Sequence, residues 1–267
     1  MNQGKIISSA QNPLVKKIVQ LQDKSRERRK TGIFVVEGAR EIKLAKKGGY
    51  HVTHLFFVSE ILNSPVEELK SILPEAEFIE LSKSVYEKIA YRQSTEGVLA
   101  LAKSKSHTIE DIGFSSESPL VLVAEAPEKP GNIGALLRTA DAAGLDAVLI
   151  ANPKSDVYNP NIIRSSVGCV FTTQIGMGST EEIIAFLKNK GISIRCAALT
   201  ASKDYINSNL TGPLAIVVGT ESSGLSDEWL NNSDENLIIP MRGEIDSMNV
   251  SVSAAILIFE AVRQRGF

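Results

Sequence analysis

Cysteine is nearly absent from this 267-residue chain: Cys169 and Cys196 stand far apart in apolar surroundings. They read as buried free thiols in a reducing compartment, which makes a cytoplasmic location the default expectation. There are only three histidines. His51 and His54 are three apart in a strand-like run, so alternation puts them on opposite faces, and His107 lies in a polar stretch. With no cysteine pair at ligand spacing either, no metal site is expected. No apolar run reaches the roughly 18 residues that a membrane span needs. The opening stretch MNQGKIISSAQNPLVKK has no apolar segment of the signal-peptide kind. Internal repeats and low-complexity tracts are also missing. What remains is 43% hydrophobic and 22% charged, a balance that builds an ordinary globular core.

Acidic residues are scarce at the front of the chain and outnumber basic ones in the rest. Residues 1–50 hold 12 Lys/Arg against 4 Asp/Glu, whereas the remaining 217 hold 17 against 27. A basic front on an acidic body points to a polyanion contact at one end, or to a solvated helix face. Asn12-Pro13 should open a helix, with Leu14, Val15, Ile18 and Leu21 as its apolar stripe. The run Lys24–Lys30 that follows is too charged to be core.

Short strands and helices then alternate up to Ala102, which implies a small α/β domain. Lys103–Pro119 is polar, Ser-rich and weakly periodic, and reads as a linker. A second α/β series follows, with strands expected at Leu120–Ala124, Ala147–Ala151, Val170–Ile175, Ser193–Leu199, Leu214–Val218 and Asn236–Ile239. Several are continuous β-branched runs, as in a parallel sheet covered on both faces. A last helix from about Asn249 to Gln264 is apolar nearly all round and should be buried. The expected domains are therefore residues 1–104 (a basic helix and a small α/β domain), a linker over 105–118, and a larger α/β domain over 119–267.

Turns at the carboxyl ends of parallel strands are where open α/β sheets bind ligands. GTESSGLS (Gly219 to Ser226) has the glycine spacing of a phosphate-binding P-loop, but Leu225-Ser226 stand where Lys-Ser/Thr is required. GNIGALLRTADAAG and GMGST do not complete the G-x-G-x-x-G fingerprint, so a dinucleotide site is disfavoured. No G-x-S-x-G nucleophile elbow occurs.

Three segments carry a resemblance instead. PEKPGNIGALLRTADAAG (Pro127 to Gly144), LAIVVGTESSGLS (Leu214 to Ser226) and LIIPMRGEIDSMNVSVSAAILIFEAVRQR (Leu237 to Arg265) resemble, in order and spacing, the three motifs of the SpoU/TrmH methyltransferases of the SPOUT superfamily. KTGIFVVEGAREI (Lys30 to Ile42) is similar to the L30e-like substrate-binding domain often found ahead of them. The resemblance implies a trefoil-knotted parallel-sheet catalytic domain, S-adenosyl-L-methionine as cofactor, a homodimer with the active site near the subunit interface, and RNA 2′-O-ribose methylation. An L30e-like front fits ribosomal RNA better than tRNA, by analogy. The alternatives are a tRNA methyltransferase and an inactive RNA-binding or ribosome-assembly protein of the same fold.

The same resemblance implies roles for single residues. It assigns Asn132, Arg138, Glu221, Ser247 and Asn249 to catalysis, and Gly219, Ile239 and Met248 to the cofactor, with Thr200 added by position. Each also has a structural reading. Ser247 or Asn249 would cap the last helix. Gly219 would sit in a turn needing positive φ. Glu221 would be a solvated charge or a cap, and Ile239 and Met248 plain core. The family often has Gly-Asn-Glu-Gly where this chain has Thr220 and Ser222 around the glutamate. Arg138 would pair with Asp141 or Glu125. Asn132 and Arg138 are six apart on one helix, roughly 120° around its axis, so they do not share a face. A guanidinium holds its proton above pH ~12, so Arg138 suits placing a ribose hydroxyl better than accepting its proton. YNPNIIRSSVGCVF (Tyr158 to Phe171) also fits the family and makes Arg164 a candidate RNA contact. Arg28, Arg29 and Lys30 are either further contacts or a solubilising run.

Overall fold

Asn12 and Pro13 start the first helix as their chemistry requires. The Asn12 carboxamide oxygen accepts from the Leu14 N–H at 2.9 Å, and proline fills the first helical position, where no N–H is needed. The structure, a computed structural model, describes residues 6–63, 65–91, 96–200, 203–220 and 222–266. It divides into two compact units, Met1–Lys105 with Asp156–Thr172, and Ser106–Ser155 with Thr173–Phe267.

In the first unit, helix α1 (Pro13–Asp23) buries Val15, Ile18 and Leu21, and α2 (Ser25–Thr31) ends on Gly32 in the left-handed region. There follow β1 (Ile33–Glu37), α3 (Ala39–Lys47), β2 (Val52–Phe57), α4 (Val66–Ile72), β3 (Glu77–Glu80), α5 (Lys83–Ile89) and β4 (Val98–Lys103). The sheet order is β1-β4-β2-β3, with β4 antiparallel to β1 and β2, and β3 parallel to β2. One face carries Val35, Phe56, Leu99 and Leu101 against the apolar stripe of α1 and against Tyr86.

The run Lys24–Lys30 is not entirely solvated. Arg28 is only 4% exposed. Its Nε and Nη2 meet both carboxylate oxygens of Asp156 at 3.1 and 2.7 Å, and its Nη1 donates to the Leu21 and Gln22 carbonyls at 2.6 and 2.9 Å. A guanidinium can be buried when its donors are matched in this way. Truncating it strands Asp156 and two carbonyls. Arg28→Ala should therefore destabilise the protein by about 3 kcal/mol, read as a lower urea midpoint at unchanged slope.

The second unit opens with β5 (Leu120–Glu125), α6 (Pro130–Ala143) and β6 (Ala147–Ala151). The chain then contributes α7 (Pro160–Ser165) to the first unit, where Tyr158 stacks on Phe34 with ring centroids 4.1 Å apart. Asp156–Thr172 thus packs in the first unit although it lies within residues 119–267 of the sequence. After it come β7 (Ile175–Gly178), α8 (Thr180–Asn189), β8 (Ser193–Ala197), β9 (Lys203–Asp204), β10 (Leu214–Val218), α9 (Asp227–Asn232), β11 (Glu235–Ile238) and α10 (Val250–Gln264). The sheet order is β7-β6-β5-β10-β8-β11-β9, and every pairing is parallel. Strands β5, β6 and β10 are buried at every position, as their unbroken apolar runs require.

Three expectations change. The strand expected over Val170–Ile175 begins only at Ile175; Cys169–Phe171 form a 3₁₀ turn after Gly168, whose φ is +85°. The stretch read as a linker is partly built into the second unit. Thr108 and Asp111 close a capping box there, and Ile109 and Ile112 join its core. Helix α10 buries Ala254, Leu257, Ile258 and Ala261 but leaves Val252 and Phe259 exposed, so its all-round apolar character is not matched by all-round burial within this chain. Cys196 is a buried thiol whose pKa burial pushes up to about 12, so it stays protonated; Cys169 is half-buried and forms no disulfide. Among the described residues no helix is long and apolar enough to cross a membrane.

Candidate active site

Strands β10, β8 and β11 are consecutive neighbours in a parallel sheet, so their carboxyl ends lie along one edge. Gly219 follows the last residue of β10 and Ile239 the last of β11; Thr200 lies in the turn after β8. Three of the residues singled out from sequence are therefore delivered to one end of the sheet. Ile239 is half-buried there and Thr200 exposed.

Gly219 is needed for a reason other than positive φ. A Cβ on it would stand 2.2 Å from the Gly224 carbonyl carbon and 2.4 Å from the Leu225 nitrogen. The positive φ of this loop belongs to Gly224, at +70°. The loop folds back on itself: the Thr220 N–H donates to the Gly224 carbonyl at 2.9 Å and the Gly224 N–H to the Thr220 carbonyl at 3.2 Å. The Thr220 and Ser223 hydroxyls meet at 2.8 Å. Backbone thus crowds backbone directly at the strand end, leaving no side chain between them. Glu221 lies outside the described residues.

At the start of α10, Asn249 has two roles at once. Its Oδ1 accepts from the Ser251 N–H at 3.0 Å, which is the expected helix cap. Its Nδ2 donates to Asn132 Oδ1 at 3.2 Å, joining the first and third motifs where α6 packs along α10. Ser247 is exposed and donates to the Asp246 carboxylate at 3.1 Å, and Met248 is half-buried. Arg138, six residues beyond Asn132, is exposed and makes no ion pair or hydrogen bond among the described residues. Neither Asp141 nor Glu125 engages it. Glu125 instead accepts from the Ser226 N–H at 2.9 Å and the Ser226 hydroxyl at 2.7 Å.

Two apolar residues at this sheet end were not singled out from sequence. Leu199, in the turn after β8, is 57% exposed, and Ile245, between β11 and α10, is 65% exposed. The signal was a bulky aliphatic side chain in a polar turn. Gly219 offers close backbone approach at this sheet end, and Ile239 and Leu199, just beyond the neighbouring strands, offer apolar surface, a combination that suits a flat heterocycle. No cluster of three or more metal-ligating side chains occurs among the described residues.

The proposed RNA contacts fall in the first unit. Arg29 and Lys30 are exposed in the last turn of α2, and Arg164 is exposed on α7. Arg28 is withdrawn from this group, because its burial against Asp156 turns it away from any phosphate.

Similarity to known proteins agrees with this geometry. Residues 12–100 match the MRM3-like substrate binding domain. The chain is 30% identical over 256 residues to 23S rRNA (guanosine(2553)-2′-O)-methyltransferase RlmP of Bacillus subtilis, covering 96% of this chain and 98% of that protein. It is 28% identical over 254 residues to the 23S rRNA (uridine(2479)-2′-O)-methyltransferase of Streptomyces viridochromogenes, covering 90% of this chain and 85% of that one. A crystal structure of an RNA 2′-O ribose methyltransferase superposes with a TM-score of 0.86 at 37% identity, over 97% of this chain and 99% of the other. The AdoMet-bound rRNA methyltransferase from Sinorhizobium meliloti does so with 0.88 at 25% identity, over 97% of each. Residues 119–259 match the SpoU rRNA Methylase family, and the chain belongs to it.

Proposed function

We propose that this chain transfers the methyl group of S-adenosyl-L-methionine to a ribose 2′-hydroxyl of ribosomal RNA in the cytoplasm. The observation that carries the proposal is the delivery of Thr200, Gly219 and Ile239 to one end of a parallel sheet in a member of this family. Relatives that match nearly the whole chain act, by name, on 23S rRNA riboses.

The cofactor supplies an activated methyl group on a cationic sulfur, so the protein's task is chiefly alignment. Backbone groups at Gly219, Ile239 and Met248 would hold it, with Leu199 and Ile245 as apolar walls and Thr200 at the rim. Arg138, exposed and bonded to no described residue, turns its fork of donors to the 2′-oxygen and a neighbouring phosphate oxygen. It places the hydroxyl and stabilises the negative charge that develops on it. Asn132 and Asn249 fix the start of α10 beside this point, Ser247 offers a further polar contact to the ribose, and Glu221 orders the site. The experiment is direct: label from tritiated S-adenosylmethionine should enter ribosomal RNA at a mapped ribose. Cofactor binding with no transfer to any cellular RNA would instead indicate an inactive RNA-binding protein.

The remaining parts of the proposal concern assembly and RNA recognition. Val252 and Phe259 are seven apart on α10, hence on one face, and both are exposed. A second copy of the chain covering that face makes the homodimer and brings the site at Asn249 close to the interface. Val252→Asp with Phe259→Asp should convert a dimer to a monomer in light scattering; an unchanged mass would move the interface elsewhere. The carboxyl-terminal end forms a trefoil knot, a topology compatible with the placement of β11 between two strands that precede β10. RNA is held in part by Arg29, Lys30 and Arg164. Neutralising them should flatten the salt dependence of RNA binding by about 0.7–0.9 in log–log slope for each phosphate that these side chains otherwise neutralise.

A further inference from the structure

Glu125 ends β5 and is 6% exposed, yet it joins no ion pair among the described residues. Its carboxylate is occupied by neutral donors from two other elements. Oε2 accepts from the Ser226 N–H at 2.9 Å, Oε1 accepts from the Ser226 hydroxyl at 2.7 Å, and the Thr180 hydroxyl approaches Oε1 at 3.4 Å. Thr180 in turn accepts from Asn152 Nδ2, just beyond β6, at 3.0 Å. Ser226 precedes α9 in the capping position, but its side chain makes no bond to that helix and turns to Glu125 instead. It also stands two residues after Gly224, whose backbone presses on Gly219.

We propose that Glu125 is a positioning residue for methyl transfer, holding the returning end of the Gly219–Ser226 loop against the strand end where the cofactor lies. The inference rests on the cofactor reading above. A buried carboxylate takes the two Ser226 donors on separate oxygens, an arrangement that the single acceptor oxygen of a glutamine does not reproduce. Its charge-assisted hydrogen bonds fix where Leu225 and Gly224 come back to Gly219. Losing them lets the loop drift from the close approach that backbone contact with a ligand needs.

Glu125→Gln in the full chain keeps the shape but offers one acceptor oxygen, and points an NH₂ at a second donor. Amide exchange at Ser223, Gly224 and Ser226 should quicken at least tenfold. The KM for S-adenosylmethionine should rise roughly tenfold, the loss expected from about one charge-assisted hydrogen bond, with the KM for RNA unchanged. Ser226→Ala removes only the hydroxyl interaction and should give a smaller shift of the same kind, which also covers failure of Glu125→Gln to fold. The double variant should be no worse than Glu125→Gln alone, since both act through one contact. Unchanged loop exchange in the single variants, or both KM values rising together in step with lost thermal stability, would overturn the proposal. If loop exchange quickens but the wild-type chain binds no S-adenosylmethionine, the tether stands and the cofactor reading falls.

Discussion

Arg138→Ala is expected to lower kcat for methyl transfer by about 100- to 1,000-fold while leaving the affinity for S-adenosylmethionine within a factor of about two. The size follows from the role. A preorganised donor aimed at charge that grows in the transition state acts on kcat, whereas a group that holds the ground state acts on KM. Arg138 is placed for the first task. It is exposed on α6, on a helix face that Asn132 does not share, and it is bonded to no described residue. Arg138→Lys keeps the charge but loses the planar fork, and should recover only part of the rate. Methylation by Arg138→Ala at more than about a third of the wild-type rate would remove this residue from catalysis. A loss confined to KM for RNA would make it a phosphate contact alone.

That Asn132 and Arg138 do not share a face follows from helix geometry alone, and their surroundings differ accordingly. Asn132 reaches Asn249 across to α10, and Arg138 faces solvent. Helical rotation is local and so is legible in a sequence. The strands β5, β6 and β10 were legible for a similar reason: their apolar runs have no other stable use than a sheet covered on both faces. What failed was set by distant partners. Arg28 lies in a charged run with nothing nearby to mark it as buried, because the carboxylate that pairs with it is 128 residues away at Asp156. Val170 and Phe171 read as the start of a strand, yet their segment packs in the first unit. Glu125 looked like a mate for Arg138, since it stands just ahead of the same motif, and its real partner is 101 residues on at Ser226. Val252 and Phe259 read as core because periodicity reports an apolar face and cannot say which molecule covers it.

Gly219→Ala should abolish measurable cofactor binding, a loss of more than about 100-fold or roughly 2.7 kcal/mol, at a position whose residue type by itself suggested a turn needing positive φ and whose resemblance suggested the cofactor. The added methyl would meet the Gly224 carbonyl carbon at 2.2 Å, its oxygen at 2.3 Å and the Leu225 nitrogen at 2.4 Å. All three are backbone atoms, so no rotamer change relieves the clash, and the peptide must move by about 1 Å to reach van der Waals distance. It is held where it is by the paired hydrogen bonds between Thr220 and Gly224 and by the tether from Ser226 to Glu125. Movement therefore disrupts bonding on both sides of the loop, and the strand end loses its shape. Gly224→Ala is the matched control. It has open space around its Cβ position but a φ of +70°, so it should cost only about 1 kcal/mol of backbone strain. The two glycines thus predict opposite patterns: a specific loss of binding with a modest fall in Tm at Gly219, and a small fall in stability with binding largely kept at Gly224. Equal losses of cofactor affinity in the two variants, by calorimetry, would mean that loop flexibility rather than close backbone approach is what the site requires.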